Sequence, residues 1–190
     1  MEIKVNDVCE CCGDFKDFGC CGVPNPIQVQ AECKCDNGKI RTFQYNDGGR
    51  LEAGYKGTAG DCVCRAICIV TGKPYSDVYA TLAEGNATQR KGKHQSKKKA
   101  KTAAKGINTR RKWFKDYMYA IGFTWVPTMQ IGQGCKVHLK SDELPTGRMV
   151  VAVSKHYVAV IDGVIHDTYD CSRGGTRCVY GYYLYNYNAL

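Results

Sequence analysis

The segment MVVAVSKHYVAVIDGVIHDTYD, residues 149–170, constrains the fold more than any other part of the chain. It divides into MVVAVS, HYVAVI and GVIHDTYD. These runs suit extended strands, because β-branched and aromatic side chains pack well on a pleated surface. Asp162-Gly163, between Ile161 and Val164, supplies the two-residue turn of a tight hairpin. Closing that turn places Val158 opposite Asp167. His156 and Val158 share a face, so His156 and Asp167 become diagonal neighbours, while His166 points to the other side. A carboxylate so placed can hold one imidazole nitrogen and leave the other for a thiol. The same pattern also fits a histidine that satisfies a strand edge beside a solvent-facing aspartate.

Helical patterns come earlier. The first begins near Cys62, with Asp61 as N-cap and Val63, Ala66, Ile67 and Val70 as its apolar stripe, and TGKP at 71–74 stops it. A second spans about 75–84 (YSDVYATLAE), ending before Gly85. A third spans about 108–121 (NTRRKWFKDYMYAI), burying Trp113, Phe114, Tyr117 and Ile121 before Gly122 closes it. VYGYYLYNY adds another strand near the end. Helices first and a sheet later predict an α+β fold, with helices packed on an antiparallel sheet whose apolar face the first helix covers.

Cys62 falls in the first turn of that first helix. Unpaired N–H groups and the helix dipole favour a thiolate there, and could receive a developing oxyanion. Cys64 and Cys68, one turn apart, suit small core positions.

Charge is unevenly distributed. Of 27 Lys and Arg residues, twelve lie between Arg90 and Lys115, a span without Asp or Glu; the remainder carries 15 basic and 18 acidic residues. Any polyanion is attracted to that segment first. Lys97, Lys98, Lys99, Lys101, Arg110 and Arg111 are the candidate nucleic-acid contacts, and Trp113 either stacks on a base or anchors its helix. A solvated surface, or a loop for an acidic protein partner, uses the same residues. Residues 85–106 otherwise read as a polar loop or nascent helix.

Thirteen cysteines are present, seven of them within the first 35 residues. The N-terminus MEIKVNDVCECC shows no signal-peptide pattern, and no run of 18 apolar residues occurs, which predicts a protein without a membrane span in a reducing compartment. A metal site then explains the clustering better than disulfides. IQVQAECKC, DNG and KIRTFQYND form a prospective hairpin in which Cys33 and Cys35 share a face. With Cys9 and Cys12 they make a candidate structural zinc site, four thiolates leaving no open position; Cys20 and Cys21 are an alternative pair. His138, three residues after Cys135, has metal-ligand spacing but no second pair.

The stretches GDCVCRAICIVTGKPYSDVY, FTWVPTMQIGQGCKVHL and SKHYVAVIDGVIHDTYDCSRGGTRCVYGY resemble a family of bacteriophage-encoded proteins that is in turn similar to the papain-like cysteine peptidase superfamily. The resemblance covers about residues 57–185. It implies a papain-like core with Cys62 as nucleophile, His156 as general base and Asp167 as orienting acid. Papain-like enzymes commonly place an oxyanion-stabilising glutamine upstream of the cysteine. The six residues before Cys62 contain none, and Gln44, Gln130 and Gln133 are the glutamines to consider.

The expected organisation is a cysteine-rich β module over 1–50 and a papain-like domain over 51–190, with a basic insertion at 86–112. The expected activity is thiol-dependent cleavage of a peptide, isopeptide or other amide. The alternative is a noncatalytic nucleic-acid-associated or virion-associated binding protein on the same fold. The expected location is the cytoplasm of an infected bacterial host, or the virion.

Overall fold

The computed structural model of the chain describes residues 42–89 and 102–186. The candidate zinc ligands Cys9, Cys12, Cys33 and Cys35, and the lysines Lys97, Lys98, Lys99 and Lys101, lie outside the described residues. The order of elements is β1 (Phe43–Tyr45), α1 (Cys62–Thr71), α2 (Tyr75–Ala87), α3 (Lys112–Ala120), β2 (Phe123–Pro127), β3 (Arg148–Val153), β4 (His156–Ile161), β5 (Val164–Asp167) and β6 (Val179–Tyr185). The fold is mixed α and β, and the strands form one six-stranded sheet in the order β1-β5-β4-β3-β6-β2.

The sheet is mixed rather than antiparallel as expected. β1, part of the segment read as the returning strand of a cysteine-rich hairpin, pairs parallel with β5 at the sheet edge. The other pairings are antiparallel. β3 is central, and its last five residues are buried. That is why MVVAV is a continuous apolar run rather than an alternating one.

Two cores result, one on each side of the sheet. Val150, Ala159 and Tyr183 pack with Val63, Ala66, Ile67 and Val70 of α1, Leu82 of α2 and Phe114 of α3. On the opposite face Met149, Val151, Val158, Val160 and Ile165 meet Leu139, Leu144 and Cys171 from connecting segments. The first helix does cover one face; the second core was not anticipated.

α1 ends as expected, at Gly72 in the left-handed conformation (φ 72°), whose N–H bonds to Cys68 O. Arg148, at the start of β3, donates from Nε to Val70 O (2.7 Å) and from Nη2 to Ile69 O (2.8 Å), tying the last carbonyls of α1 to the sheet. Asp61 does not act as the expected cap. Its side chain makes no capping hydrogen bond. It accepts instead from Arg50 Nε (2.8 Å) and the Tyr75 hydroxyl (2.5 Å), with Arg65 Nη1 at 3.3 Å.

Both later helices depart from their expected bounds. α2 continues through Gly85, because a side chain there would collide with Trp113: a Cβ would lie 2.4 Å from its ring. Trp113 is thus a packing anchor. α3 starts at Lys112 rather than 108, since Asn108 Oδ1 accepts from the Arg110 N–H and forms a turn ahead of the helix. β2 was not foreseen as a strand. The C-terminal end of the basic stretch is also no free loop: Ala103 is buried, Thr102 bonds to the Tyr79 hydroxyl, and Gly60 N–H donates to Ala104 O.

Cys135 and Cys178 form a disulfide across 43 residues. This departs from the expectation of reduced thiols. His138 Nδ1 meets Glu143 Oε2 at 3.0 Å, and the neighbouring Cys135 is held in the disulfide rather than free as a thiolate ligand. Among the described residues, no helix is long and apolar enough to cross a membrane.

Candidate active site

The hairpin register is the one read from the sequence. Ile161 pairs with Val164, Val160 with Ile165 and Ala159 with His166. Asp162 (φ 49°) and Gly163 (φ 81°) both take positive φ, as a type I′ turn demands. Continuing the ladder sets His156, the first residue of β4, diagonal to Asp167, the last of β5. His156 Nε2 lies 2.5 Å from Asp167 Oδ2, and both side chains are buried. The other carboxylate oxygen accepts from the Thr168 N–H at 2.7 Å.

Because this pair sits at the end of the sheet rather than in its middle, the first turn of α1 can reach it from the opposite face. Burial pushes the Cys62 thiol up. A hydrogen bond from the thiol to His156, the histidine's charge, the Tyr157 backbone and the Arg65 charge outweigh that effect and leave it below the ordinary thiol value. Burial pushes His156 down, but bonds to Asp167, Cys171 and Cys62 prevail and raise it. The opposed shifts favour a thiolate–imidazolium pair. The carboxylate holds Nε2, which leaves Nδ1 for a thiol, so the tautomer needed for proton transfer is fixed by Asp167.

Arg65, one turn after Cys62, was missed. It lies 3.3 Å from Asp61 and 3.5 Å from Asp167, joining the start of α1 to the end of β5. Its spacing from Cys62 on one helix face was the available signal. Cys171 was missed as well. It is buried and free, with its thiol near His156. Donor atoms of His156, Asp167 and Cys171 lie within 4.8 Å of one another, so this group can hold a metal ion. Cys64 and Cys68 are buried in the core as expected, and the hydrogen bond between them with burial keeps the Cys64 thiol far above its ordinary value.

The thiol opens on a cleft of about 760 Å³ lined by Gly60, Cys62, Gly106, His156, Tyr157 and Tyr169, among others. Tyr157 is steadied by a 2.8 Å bond from its hydroxyl to Thr109. None of Gln44, Gln130 and Gln133 lines the cleft. The latter two bond to each other on the surface (2.9 Å). Backbone N–H groups at the start of α1 are therefore the oxyanion donors at hand. Of the proposed nucleic-acid contacts within the described residues, Arg110 and Arg111 are exposed, and Arg110 lines the cleft.

No protein-family model matches this chain, and comparisons with curated proteins and with solved structures likewise find no match.

Proposed function

We propose that the chain is a thiol-dependent hydrolase of papain-like type that cleaves an amide through Cys62, His156 and Asp167. The observation that carries this reading is the imidazole of His156, bonded to the Asp167 carboxylate, on the same cleft that Cys62 lines from the first turn of α1. The Cys62 thiolate attacks the carbonyl carbon, and the oxyanion forms beside the N–H groups of α1. As the C–N bond breaks, the His156 imidazolium gives its proton to the leaving amine. Neutral His156 then takes a proton from water, whose oxygen displaces Cys62 from the thioester and releases a carboxylic acid. Asp167 orients the ring throughout, and Arg65 holds Asp167 against α1.

Cleavage of a panel of internally quenched peptides, followed for wild type, Cys62→Ala and His156→Ala, tests this. Turnover by wild type and its loss in both variants is expected. Turnover retained by Cys62→Ala would move the nucleophile elsewhere, and a Cys62 no more reactive toward iodoacetamide than Cys64 would end the assignment.

Two companion proposals rest mainly on residues outside the described ones. Cys9, Cys12, Cys33 and Cys35 hold a structural zinc ion, tested by metal content before and after their replacement. Lys97, Lys98, Lys99 and Lys101, with Arg110 and Arg111, give salt-sensitive nucleic-acid affinity that localises the enzyme in an infected bacterial cell or a virion. Unchanged affinity after Lys→Glu reversal would refute that role.

A further inference from the structure

The walls of the cleft carry charge of one sign. Arg65, Arg110, Lys115 and Lys155 line it, and no Asp or Glu does. Arg65 is occupied by Asp61 and Asp167. Arg110, Lys115 and Lys155 are exposed and, among the described residues, no carboxylate lies within ion-pair distance of them. These three come from different places: Arg110 from the turn before α3, Lys115 from α3, and Lys155 from the connection between β3 and β4, directly before His156. Arg110 and Lys115 belong to the basic run, and the tertiary fold brings Lys155, from far along the chain, to the same cleft. With them, Trp125, Tyr169 and Tyr180 line the cleft and supply aromatic surface, Tyr169 being 51% and Tyr180 41% exposed.

A concave site with low-dielectric walls and cations of one sign focuses its field on whatever enters. A ligand bearing positive charge meets three like charges and finds no carboxylate. One bearing negative charge finds cationic donors and aromatic rings in the same cleft. The cleft, about 760 Å³, brings these cations together with Cys62 and His156, which suits an acidic residue near a scissile amide.

We infer that the cleft selects acidic peptides, placing a carboxylate of the substrate against Arg110, Lys115 and Lys155 while an adjacent apolar side chain rests on Trp125, Tyr169 and Tyr180. This rests on the hydrolase reading and names the substrate class of that site. The recognised carboxylate is either an Asp or Glu side chain or a free chain terminus.

The test uses the full chain and matched N-acetylated hexapeptides that differ only in carrying Glu, Gln or Lys beside the central amide, each with a free or an amidated C-terminus. Wild type gives kcat/KM by mass spectrometry. Cys62→Ala gives Kd by tryptophan fluorescence. We expect the Glu peptide to exceed the Gln peptide roughly tenfold at low salt, three exposed charge pairs each contributing a small factor. Most of that margin disappears in 1 M NaCl, where the screening length is about 3 Å. The double variant Arg110→Glu/Lys155→Glu is expected to prefer the Lys peptide. If amidation lowers the rate and affinity of the Gln peptide as well, the terminal carboxylate is the group recognised; if only the exchange of Glu for Gln does so, the side chain is.

Equal rates and affinities for Glu, Gln and Lys peptides, unchanged by amidation, would overturn the inference while leaving the hydrolase reading intact. Preferential binding of Glu peptides by Cys62→Ala with no cleavage by wild type would uphold the acidic selectivity and refute the hydrolase. Binding of a single-stranded oligonucleotide at low salt, with no peptide bound, would overturn the inference in favour of a nucleic-acid surface.

Discussion

Replacing Asp61 by Ser separates two roles that one aspartate can have at the start of a helix. Serine is as good an N-cap as aspartate, so a capping role predicts almost no loss of stability. The structure gives Asp61 another role. Its side chain is wholly buried, with Arg50 Nε at 2.8 Å and Arg65 Nη1 at 3.3 Å, both arginines being almost fully covered. The Tyr75 hydroxyl donates to the same carboxylate. Removing the anion leaves the largely buried Arg50 guanidinium without its counter-charge and Arg65 with Asp167 alone, a loss of about 3–5 kcal/mol. With a urea m-value of roughly 2 kcal/mol/M, the unfolding midpoint should fall by about 2 M. Equilibrium urea unfolding of wild type, Asp61→Ser and Asp61→Asn measures it. Asparagine keeps the shape and can still accept from Tyr75, yet lacks the charge, so both variants should be strongly destabilised. A change within about 1 kcal/mol for Asp61→Ser would refute the ion-pair argument and restore capping.

Four further outcomes follow from the geometry. The alkylation rate of Cys62 should already be high at a pH below the ordinary thiol range, because interactions with His156 lower this thiol against its burial. In His156→Ala burial acts with less opposition, so the profile moves to higher pH; an unshifted profile would refute the pairing. Productive turnover should occupy the window above the lowered Cys62 value and below the raised His156 value, falling on the acid side as the thiolate protonates and on the alkaline side as the imidazolium is lost. Cobalt(II) should bind the group of His156, Asp167 and Cys171, so that Cys171→Ala takes up one equivalent less by absorption titration than wild type; equal uptake would remove Cys171 from the ligands. Replacing Cys135 and Cys178 together by serine removes a loop constraint over 43 residues, which chain entropy puts at about 4 kcal/mol, and an unchanged urea midpoint would refute that contribution.

The parts of the site legible in the sequence are those written in local rules. A two-residue Asp-Gly turn determines which residues oppose each other, so the relation of His156 to Asp167 could be read from the hairpin alone. TGKP gave the end of α1 for the same reason: Gly72 takes a left-handed conformation few other residues tolerate. What escaped depends on partners distant in sequence. Asp61 looks like a cap until Arg50 and Tyr75 are brought beside it. Gly85 looks like a helix stop until Trp113 is found where its side chain would be. Arg65 and Cys171 acquire meaning only when α1 and the segment after β5 meet at the end of the sheet. β1 escaped because its partner β5 lies about 120 residues further along the chain, and β2 because FTWVP is short and ends in proline.

The attachments at the two ends of α1 make residue number, rather than residue type, the tightest constraint on this site. Cys62 stands at one end of ten helical residues, and Arg148 grips the carbonyls of Ile69 and Val70 at the other. Inserting one residue between them would advance one end by about 1.5 Å and turn it by about 100° relative to the other. Either the thiol would swing away from His156 or the arginine would lose its carbonyls. Alignments of chains built on this plan should therefore show varied residues between these two attachments, but a constant count.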